Sequence, residues 1–204
     1  MTLVLHHLNA SRSQRIVWLL EELGVPYELV RYARDPVTRL APPELLKVHP
    51  LGKAPLLEHD GAVIAETGAI AEHLLAAFDP EHRLHPKPGT PDHARYLEWL
   101  HSAEGAPFLP GLFLFYLSAY GLEESPLTAK MREEAAKSSA HVEAHLAAHP
   151  YFAGEAFSAA DCLMGFQIGN AEARFGLGDA PATADWLARV RARPAHARML
   201  EAGV

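Results

Sequence analysis

The spacing of apolar residues along the chain changes near residue 80. Before that point, short apolar runs, which predict strands, alternate with stretches whose apolar residues recur with the period of a helix face. Strands are predicted over residues 2–7, 27–31, 55–58 and 62–65, and helices over residues 11–24, 42–49 and 66–78. This order, βαβαββα, is typical of a small mixed sheet covered by helices.

Two local signals support these elements. Gly24 follows the last apolar position of the first helix, and glycine readily adopts the left-handed conformation that ends helices. The runs 55–58 and 62–65 are separated by His59-Asp60-Gly61, and Asp-Gly is a preferred turn pair. These two runs therefore predict a β-hairpin.

A proline-rich stretch follows the third helix. Residues 79–91 contain four prolines and one glycine, which no single helix or strand accommodates. The helices predicted beyond it cover residues 92–106, 112–120, 127–148, 159–175 and 183–192, with a short helix after Pro194. We therefore expect an α/β domain over residues 1–80, a linker over 81–91 and an all-helical domain over 92–204.

Composition argues against several classes of protein. With 49% hydrophobic and 21% charged residues the chain is predicted to be globular, and its apolar runs are too short to span a bilayer. A net charge of −7 argues against nucleic-acid binding, and we interpret the basic group Arg189, Arg191, Arg193 and Arg198 as a solvated helix face. A single cysteine, Cys162, and the lack of a secretory signal favour the cytoplasm.

The first polar group that could carry chemistry is Lys53-Ala54-Pro55, at the start of a predicted strand. A cis bond before Pro55 would let Ala54 offer its backbone N–H and C=O to an extended, peptide-like ligand. A trans proline that merely begins the strand is the alternative.

The second group is Glu66-Thr67, where a helix is predicted to begin. The N–H and hydroxyl of Thr67, beside the positive end of that helix, could bind a ligand carboxylate, and Glu66 could neutralise a ligand ammonium. Plain N-capping is the alternative, and it explains Thr67 better than Glu66.

The third group, Asn9-Ala10-Ser11-Arg12-Ser13, lies between the first strand and the first helix. Ser11 and Ser13 are residue types that commonly cap helices. A hydroxyl at a helix N-terminus can also donate a hydrogen bond to a thiolate.

In this order and spacing, the three groups resemble the glutathione transferase superfamily, and in particular a bacterial and fungal subgroup with a Ser-Arg-Ser opening to the first helix. The similar motifs are His7-x-x-x-Ser11-Arg12-Ser13-x-Arg15, Ala41-Pro42-Pro43-Glu44-Leu45, His49-Pro50-Leu51-Gly52-Lys53-x-Pro55 and Ala65-Glu66-Thr67-Gly68. The resemblance covers the whole chain and implies a thioredoxin-like N-terminal domain and an all-helical C-terminal domain. Ser158-x-x-Asp161, which has capping-box spacing, resembles the capped central helix of that second domain.

The resemblance also implies which residues bind glutathione. Pro55 would be cis, and the backbone of Ala54 would pair with the cysteinyl part of the tripeptide. Glu66 and Thr67 would hold the γ-glutamyl end, and Lys53 could pair with the glycyl carboxylate.

The implied chemistry is attack by the glutathione thiolate on a small apolar electrophile or a peroxide, as in detoxification. A free thiol has a pKa near 8.5, and the thiolate is the nucleophile, so the protein must stabilise the thiolate. Ser11 is the predicted donor. Asn9, Ser13 and a backbone N–H remain alternatives, because in some classes the active residue stands one place earlier, which here is Ala10.

A second functional hypothesis is a non-catalytic member of the superfamily that binds glutathione or carries ligands. The resemblance further implies a homodimer, and we expect neither nucleic acid nor a membrane as partner. We also expect no metal: His141, His145 and His149 recur at helical spacing, but the row runs into an apolar stripe and is interpreted as the boundary of a core.

Aromatic residues cluster around the helix break at residues 107–111. In the family a similar region accepts the apolar electrophile, although aromatic residues at helical spacing are more typical of a core. The cluster contains Phe108, Phe113, Phe115, Tyr116 and Tyr120.

Overall fold

The computed structural model describes residues 2–204, which contain four strands and nine helices. The strands are β1 (Val4–Leu8), β2 (Glu28–Tyr32), β3 (Leu56–His59) and β4 (Ala62–Ala65). The helices are α1 (Ser13–Leu23), α2 (Leu45–Val48), α3 (Thr67–Phe78), α4 (Pro91–Ser102), α5 (Leu109–Ala119), α6 (Pro126–Ala148), α7 (Ala159–Phe175), α8 (Pro181–Arg191) and α9 (Pro194–Glu201).

The chain divides into two compact units. One contains the residues up to Leu84 together with Arg191–Val204, and the other contains His85–Val190. The first unit holds all four strands, and the second holds only helices among the described residues. The predicted fold class, an α/β domain with the order βαβαββα followed by a helical domain, is confirmed.

The sheet of the first unit has the strand order β2-β1-β3-β4. β1 runs parallel to β2 and antiparallel to β3, and β3 runs antiparallel to β4. In the register, His6 on β1 pairs with Leu56 on β3, which in turn pairs with Ala65 on β4. The carboxyl ends of β1 and β4 therefore meet at the edge where β3 begins.

The core of this unit follows from the apolar spacing of β1, β3, α1 and α3. Leu5 and Leu57 are fully buried, as are Ile16 and Leu20 of α1 and Leu74 of α3. Gly24 ends α1 with φ 68°, a left-handed conformation in which its N–H donates to the carbonyl of Leu20. Burial of these aliphatic side chains supplies the main stabilisation of the unit.

The β3–β4 hairpin closes through a two-residue turn. Asp60 and Gly61 both have positive φ, at 49° and 82°. A turn of this kind matches the right-handed twist of paired strands and favours Asp-Gly. His59, which the sequence placed in the turn, instead ends β3 and pairs with Ala62.

The last helix, α9, belongs to the first unit. The predicted helical domain over residues 92–204 had included it. Arg193 forms a bidentate ion pair with Glu22 on α1, at 2.6 and 2.8 Å. Arg198 donates to the carboxylate and to the carbonyl of Glu21, at 2.8 and 2.7 Å. The interpretation of this basic group as a solvated helix face is therefore wrong for Arg193.

The second unit is organised around the start of α7. Asp161 is fully buried and accepts from the N–H and hydroxyl of Ser158, at 2.8 and 3.0 Å. It also accepts from the Phe152 N–H at 3.1 Å and from the Trp186 indole N–H at 2.8 Å. The predicted capping box is thus confirmed, and it also joins α7 to α8 and to the segment before α7.

Among residues 2–204, no helix combines the length and apolar character that a membrane span requires.

Candidate active site

The loop between β1 and α1 carries a chain of buried hydrogen bonds. The hydroxyl oxygens of Ser11 and Ser13 lie 2.7 Å apart, and the Ser13 N–H donates to Ser11 Oγ at 3.2 Å. Ser13 Oγ accepts the Leu8 N–H at 3.2 Å and lies 2.9 Å from His7 Nδ1. Hydrogen bonds from His7 to Ser13 and from Ser13 to Ser11 therefore join the end of β1 to the start of α1.

These groups are well shielded from water. Ser13 is fully buried, His7 is 1% exposed, and Ser11 is 9% exposed. Burial, assisted by the positive charge of Arg31, lowers the pKa of His7 from 6.5 to about 4. His7 is therefore neutral at neutral pH and carries a single ring N–H.

The helix begins two residues later than predicted, which changes the role of the serines. α1 starts at Ser13, and the residue at the capping position, Arg12, makes no side-chain capping bond. Ser11 instead precedes the helix and accepts the N–H two residues ahead, a local pattern typical of serine in turns. Ser11 thereby lies at the positive end of α1.

The backbone just before Ser11 is held in place by an arginine. Ala10 has φ 51°, a left-handed conformation uncommon for a residue with a side chain. Arg34 donates to the carbonyl of Asn9 at 2.9 Å and to that of Ala10 at 3.1 Å. Asn9 and Ala10 are exposed, whereas Ser11 is buried.

The second predicted group lies at the neighbouring strand. The Ala54–Pro55 peptide bond is cis, and Pro55 is buried while Ala54 is partly exposed. Since His6 pairs with Leu56, the next position of the register places Pro55 opposite His7, on the strand that leads to Ser11. The antiparallel pairing of β1 with β3 thus brings these two groups to one edge of the sheet.

The third predicted group reaches the same edge. Ala65 pairs with Leu56, so Glu66 follows β4 beside the point where β3 begins. Glu66 is exposed, has φ 71°, and makes no side-chain capping bond, although its carbonyl accepts the Ile70 N–H at 2.9 Å. Capping therefore does not explain the Glu66 side chain. Thr67 is buried as the first residue of α3.

Lys53 is exposed on the loop that follows α2. The preceding Gly52 has φ 57°, and a Cβ at this position would lie 2.8 Å from Leu46 Cδ2. The positive φ is the reason for glycine here, since the close contact is with the end of a flexible, exposed leucine side chain. The backbone conformation of Gly52 therefore sets the path of the loop that contains Lys53.

Sequence reasoning missed the position of His7 behind the two serines. Side chains alternate along a strand, so His6 and His7 point to opposite faces. His6 bonds to the Tyr32 hydroxyl and to Glu58, each at 2.8 Å, while His7 faces Ser13. The apolar alternation of β1, with Leu5 fully buried, could have placed His7 on the face covered by α1.

The histidine row of α6 lies against an aromatic side chain. His141 stacks on Trp99 with a centroid distance of 5.0 Å, and His145 lies 4.6 Å from the same ring. Burial lowers the pKa of His145 to about 4, and its Nε2 lies 3.1 Å from the Phe152 carbonyl. Within the described part of the chain, no group of three or more potential ligand residues is placed to hold a metal ion.

The aromatic residues around α5 are not a core. Phe113, Phe115 and Tyr116 are between 43% and 51% exposed, and Tyr120 is 78% exposed. The alternative that the cluster is a core is therefore wrong for these four residues. Phe115 is partly covered by the Arg174 guanidinium, which lies 4.5 Å from the ring centroid.

The first unit has a four-stranded mixed sheet with a polar site where β1, β3 and β4 meet, and the second unit is helical. These features define a two-domain protein of the thioredoxin-like class. The family model of the glutathione S-transferase N-terminal domain matches residues 1–76, and that of the C-terminal domain matches residues 125–189. The chain belongs to the glutathione S-transferase family.

Curated relatives agree with this assignment. The chain is 37% identical to Glutathione S-transferase 3 of Schizosaccharomyces pombe over 183 residues, covering 81% of this chain and 73% of the relative. It is 33% identical to Glutathione S-transferase 1 of Saccharomyces cerevisiae over 222 residues, covering 96% and 93%. Relatives over most of the chain thus support glutathione transferase activity.

Solved structures agree as well. A glutathione S-transferase from Actinobacillus pleuropneumoniae matches with a TM-score of 0.89 and 33% identity, covering 98% of this chain and 91% of that one. A sphingomonad glutathione S-transferase complexed with glutathione matches with a TM-score of 0.79 and 26% identity, covering 98% of each chain. Glutathione is therefore a ligand of a protein similar to this one.

Proposed function

We propose that this protein binds glutathione at the edge where β1, β3 and β4 meet and activates it as a thiolate. The thiolate then attacks small apolar electrophiles or reduces peroxides. The observation that carries the proposal is the convergence of Ser11, Pro55 and Glu66 through the strand register. The Ser11 hydroxyl suits the glutathione sulfur, and the chain at the start of β3 suits the cysteinyl backbone. The acidic side chain of Glu66 suits the γ-glutamyl ammonium.

The γ-glutamyl end carries both an ammonium and a carboxylate. Glu66, exposed and without a capping role, supplies a negative charge for the ammonium. The N-terminus of α3, which begins at Thr67, supplies backbone N–H groups and a positive dipole end for the carboxylate. One short segment of the chain therefore complements both charges.

The other end of the tripeptide is proposed to lie along Lys53 and Ala54. Ala54 lies two positions before the first residue of β3 and outside the strands, so its backbone is proposed to pair with the cysteinyl part. Lys53 is exposed and supplies a positive charge for the glycyl carboxylate. This orientation points the cysteinyl sulfur towards the loop that carries Ser11.

The Ser11 hydroxyl is proposed to donate to the sulfur. Lowering a thiol pKa by about 2 units requires about 2.7 kcal/mol of preferential thiolate stabilisation. A hydrogen bond to a charged group contributes about 1.5–3 kcal/mol, and the N-terminus of α1 adds a favourable dipole. One hydroxyl at this position is therefore sufficient in magnitude.

The test is the pH dependence of conjugation with a generic aryl halide, before and after Ser11→Ala. The variant should raise the apparent pKa of bound glutathione and lower kcat/KM about 10-fold or more below that pKa. Asn9→Ala tests the alternative donor, since Asn9 is exposed in the same loop, and it should leave the profile unchanged. An unchanged profile for Ser11→Ala would remove Ser11 from the mechanism. Calorimetric binding of glutathione without turnover across a broad panel of aryl halides and hydroperoxides would instead favour a non-catalytic carrier.

We further propose a cytoplasmic homodimer. Phe113 and Tyr116 of α5, and Tyr120 directly after it, are exposed aromatic side chains of a kind that partner subunits often cover. Sedimentation should then show a species near twice 22.3 kDa. A monomer at micromolar concentration would contradict this proposal without affecting the assignment of the glutathione site.

A further inference from the structure

The hydrogen bonds that join His7, Ser13 and Ser11 have a direction, and that direction decides what Ser11 can do. Each serine hydroxyl has one proton to donate and two lone pairs to accept with. If the Ser11 proton points to Ser13, it is not available to a ligand. The position of the single proton on the neutral His7 ring determines which arrangement forms.

The surroundings of His7 favour one tautomer. Its Nδ1 lies 2.9 Å from Ser13 Oγ, whereas its Nε2 is buried and has no hydrogen-bond partner among residues 2–204. Buried N–H groups without an acceptor are rarer in proteins than buried acceptors without a donor. The proton therefore belongs on Nδ1, where it is donated to Ser13, and the bare lone pair belongs on Nε2.

This tautomer sets the Ser13 hydroxyl. Ser13 Oγ then accepts from His7 Nδ1–H and from the Leu8 N–H at 3.2 Å, which fills both of its lone pairs. Its own proton must point to another acceptor. Ser11 Oγ lies at 2.7 Å, whereas the Leu8 carbonyl lies at 3.4 Å, so the shorter bond to Ser11 is preferred.

The Ser11 hydroxyl is set in the same way. Ser11 Oγ accepts from the Ser13 hydroxyl and from the Ser13 N–H at 3.2 Å, so its two lone pairs are also filled. The Ser11 proton can then only be donated outside this chain of residues. With the other His7 tautomer the two bonds between side chains reverse: Ser13 donates to His7 Nδ1, and Ser11 donates to Ser13.

We propose that His7 is a positioning residue which, through Ser13, turns the Ser11 hydroxyl into an obligatory donor towards the glutathione sulfur. The proposal rests on the proposed role of Ser11 at the thiolate. His7 touches neither substrate nor sulfur; it acts only through the serines. A buried ring is suited to this role because it stays neutral, and a protonated ring would place an uncompensated charge in the core.

The direct test is the tautomer of His7 in the intact protein. Long-range proton–nitrogen NMR correlation on the histidine-labelled chain distinguishes a protonated Nδ1 from a protonated Nε2. The expected result is Nδ1–H for His7 at pH 7, both alone and with glutathione bound. A protonated Nε2 would overturn the proposal, because Ser13 would then donate to His7.

The functional test compares two substitutions of His7. His7→Leu removes the donor, whereas His7→Asn keeps an N–H near the position of Nδ1. His7→Leu should raise the pKa of the bound thiol by about one unit, which is a roughly tenfold smaller thiolate-to-thiol ratio. In His7→Asn the thiol pKa should stay close to that of the parent protein. His6→Leu, on the opposite face of β1, is the matched control and should leave the thiol pKa unchanged.

A double-variant cycle separates failure of this proposal from failure of the proposed function. If His7 acts through Ser11, His7→Leu should have no further effect on the thiol pKa in a Ser11→Ala background. An equal effect in both backgrounds would overturn the relay while leaving Ser11 as donor. No effect of Ser11→Ala itself would overturn the proposed role of Ser11, and with it this relay. If His7→Leu does not fold, the NMR tautomer and His7→Asn still decide the question.

Discussion

The indole N–H of Trp186 donates to the carboxylate of Asp161 at 2.8 Å, and both side chains are fully buried. A buried carboxylate is stable only when its lone pairs are filled, and Asp161 accepts four hydrogen bonds. Burial nevertheless raises its pKa to about 6, while these hydrogen bonds oppose the rise. The capping residue of α7 is therefore also a central contact of the second unit.

Asp161→Asn should destabilise the protein strongly. The carboxylate oxygens now face only donors, so the amide NH2 of asparagine would meet at least one N–H or O–H with which it cannot pair. A buried unsatisfied group costs about 1–3 kcal/mol. We expect the free energy of unfolding to fall by about 3 kcal/mol, measured by urea denaturation. Asp185→Asn, the same change at an exposed position of α8, should alter it little. Equal effects at both positions would contradict the structural role of Asp161.

Glu66→Gln tests the proposed ammonium contact. Removing the negative charge should weaken glutathione binding by about 1.5 kcal/mol, close to a tenfold rise in KM for glutathione, with little change in kcat. Glu72→Gln, an exposed position on the same helix, is the control and should leave KM unchanged. If both variants bind glutathione as tightly as the parent, the ammonium lies elsewhere.

Gly52→Ala tests how the loop positions Lys53. The new Cβ must accept φ 57° and a 2.8 Å approach to Leu46 Cδ2, which should cost about 1 kcal/mol or more of stability and weaken glutathione binding. Gly24→Ala has a similar φ of 68° but meets nothing within 4 Å, so it should lower stability without changing affinity. Loss of affinity in both variants would indicate a general effect of unfolding.

The stability of the protein should depend on His145 in acid. Folding lowers the pKa of this ring from 6.5 to about 4, through burial and the nearby His149 and Arg95. The unfolded chain therefore binds the proton first, so His145 costs no stability above pH 6.5 and up to about 3 kcal/mol as the pH falls to 4. Asp161 titrates in the opposite sense, so the comparison must be made between variants.

His145→Gln provides that comparison, since glutamine can still donate to the Phe152 carbonyl. Denaturation curves at pH 7, 5.5 and 4.5 should show a smaller loss of stability in the variant than in the parent. Asp161 and His7 contribute equally to both proteins and cancel. Parallel pH profiles would show that His145 keeps an ordinary pKa after folding.

Features encoded by neighbouring residues were predictable from the sequence. The Asp60-Gly61 turn, the glycine that ends α1 and the capping box of α7 each depend on contacts within a few positions. The element order βαβαββα also followed from the local pattern, whereas the order of the strands in the sheet was not predicted. Short-range conformational preference is therefore enough to locate most elements in this chain.

Features that depend on distant residues were not predictable. Arg193 and Glu22 are 171 positions apart, so nothing local indicates that they pair. The bond between Ser13 and His7, six positions apart, was missed for a different reason: it requires α1 to begin at Ser13, two residues later than predicted. The aromatic residues of α5 have the composition of a core but are exposed, because composition does not say which face is covered.

The pairing of α9 with α1 has a consequence for synthesis on the ribosome. The first unit contains both the earliest residues and Arg191–Val204, so it is discontinuous along the chain. The whole of the second unit is translated before Arg193 and Arg198 are available to pair with Glu22 and Glu21. The first unit is therefore completed only at the end of synthesis. A stop codon introduced shortly before position 191 would therefore release a chain in which α1 lacks its contacts with α9.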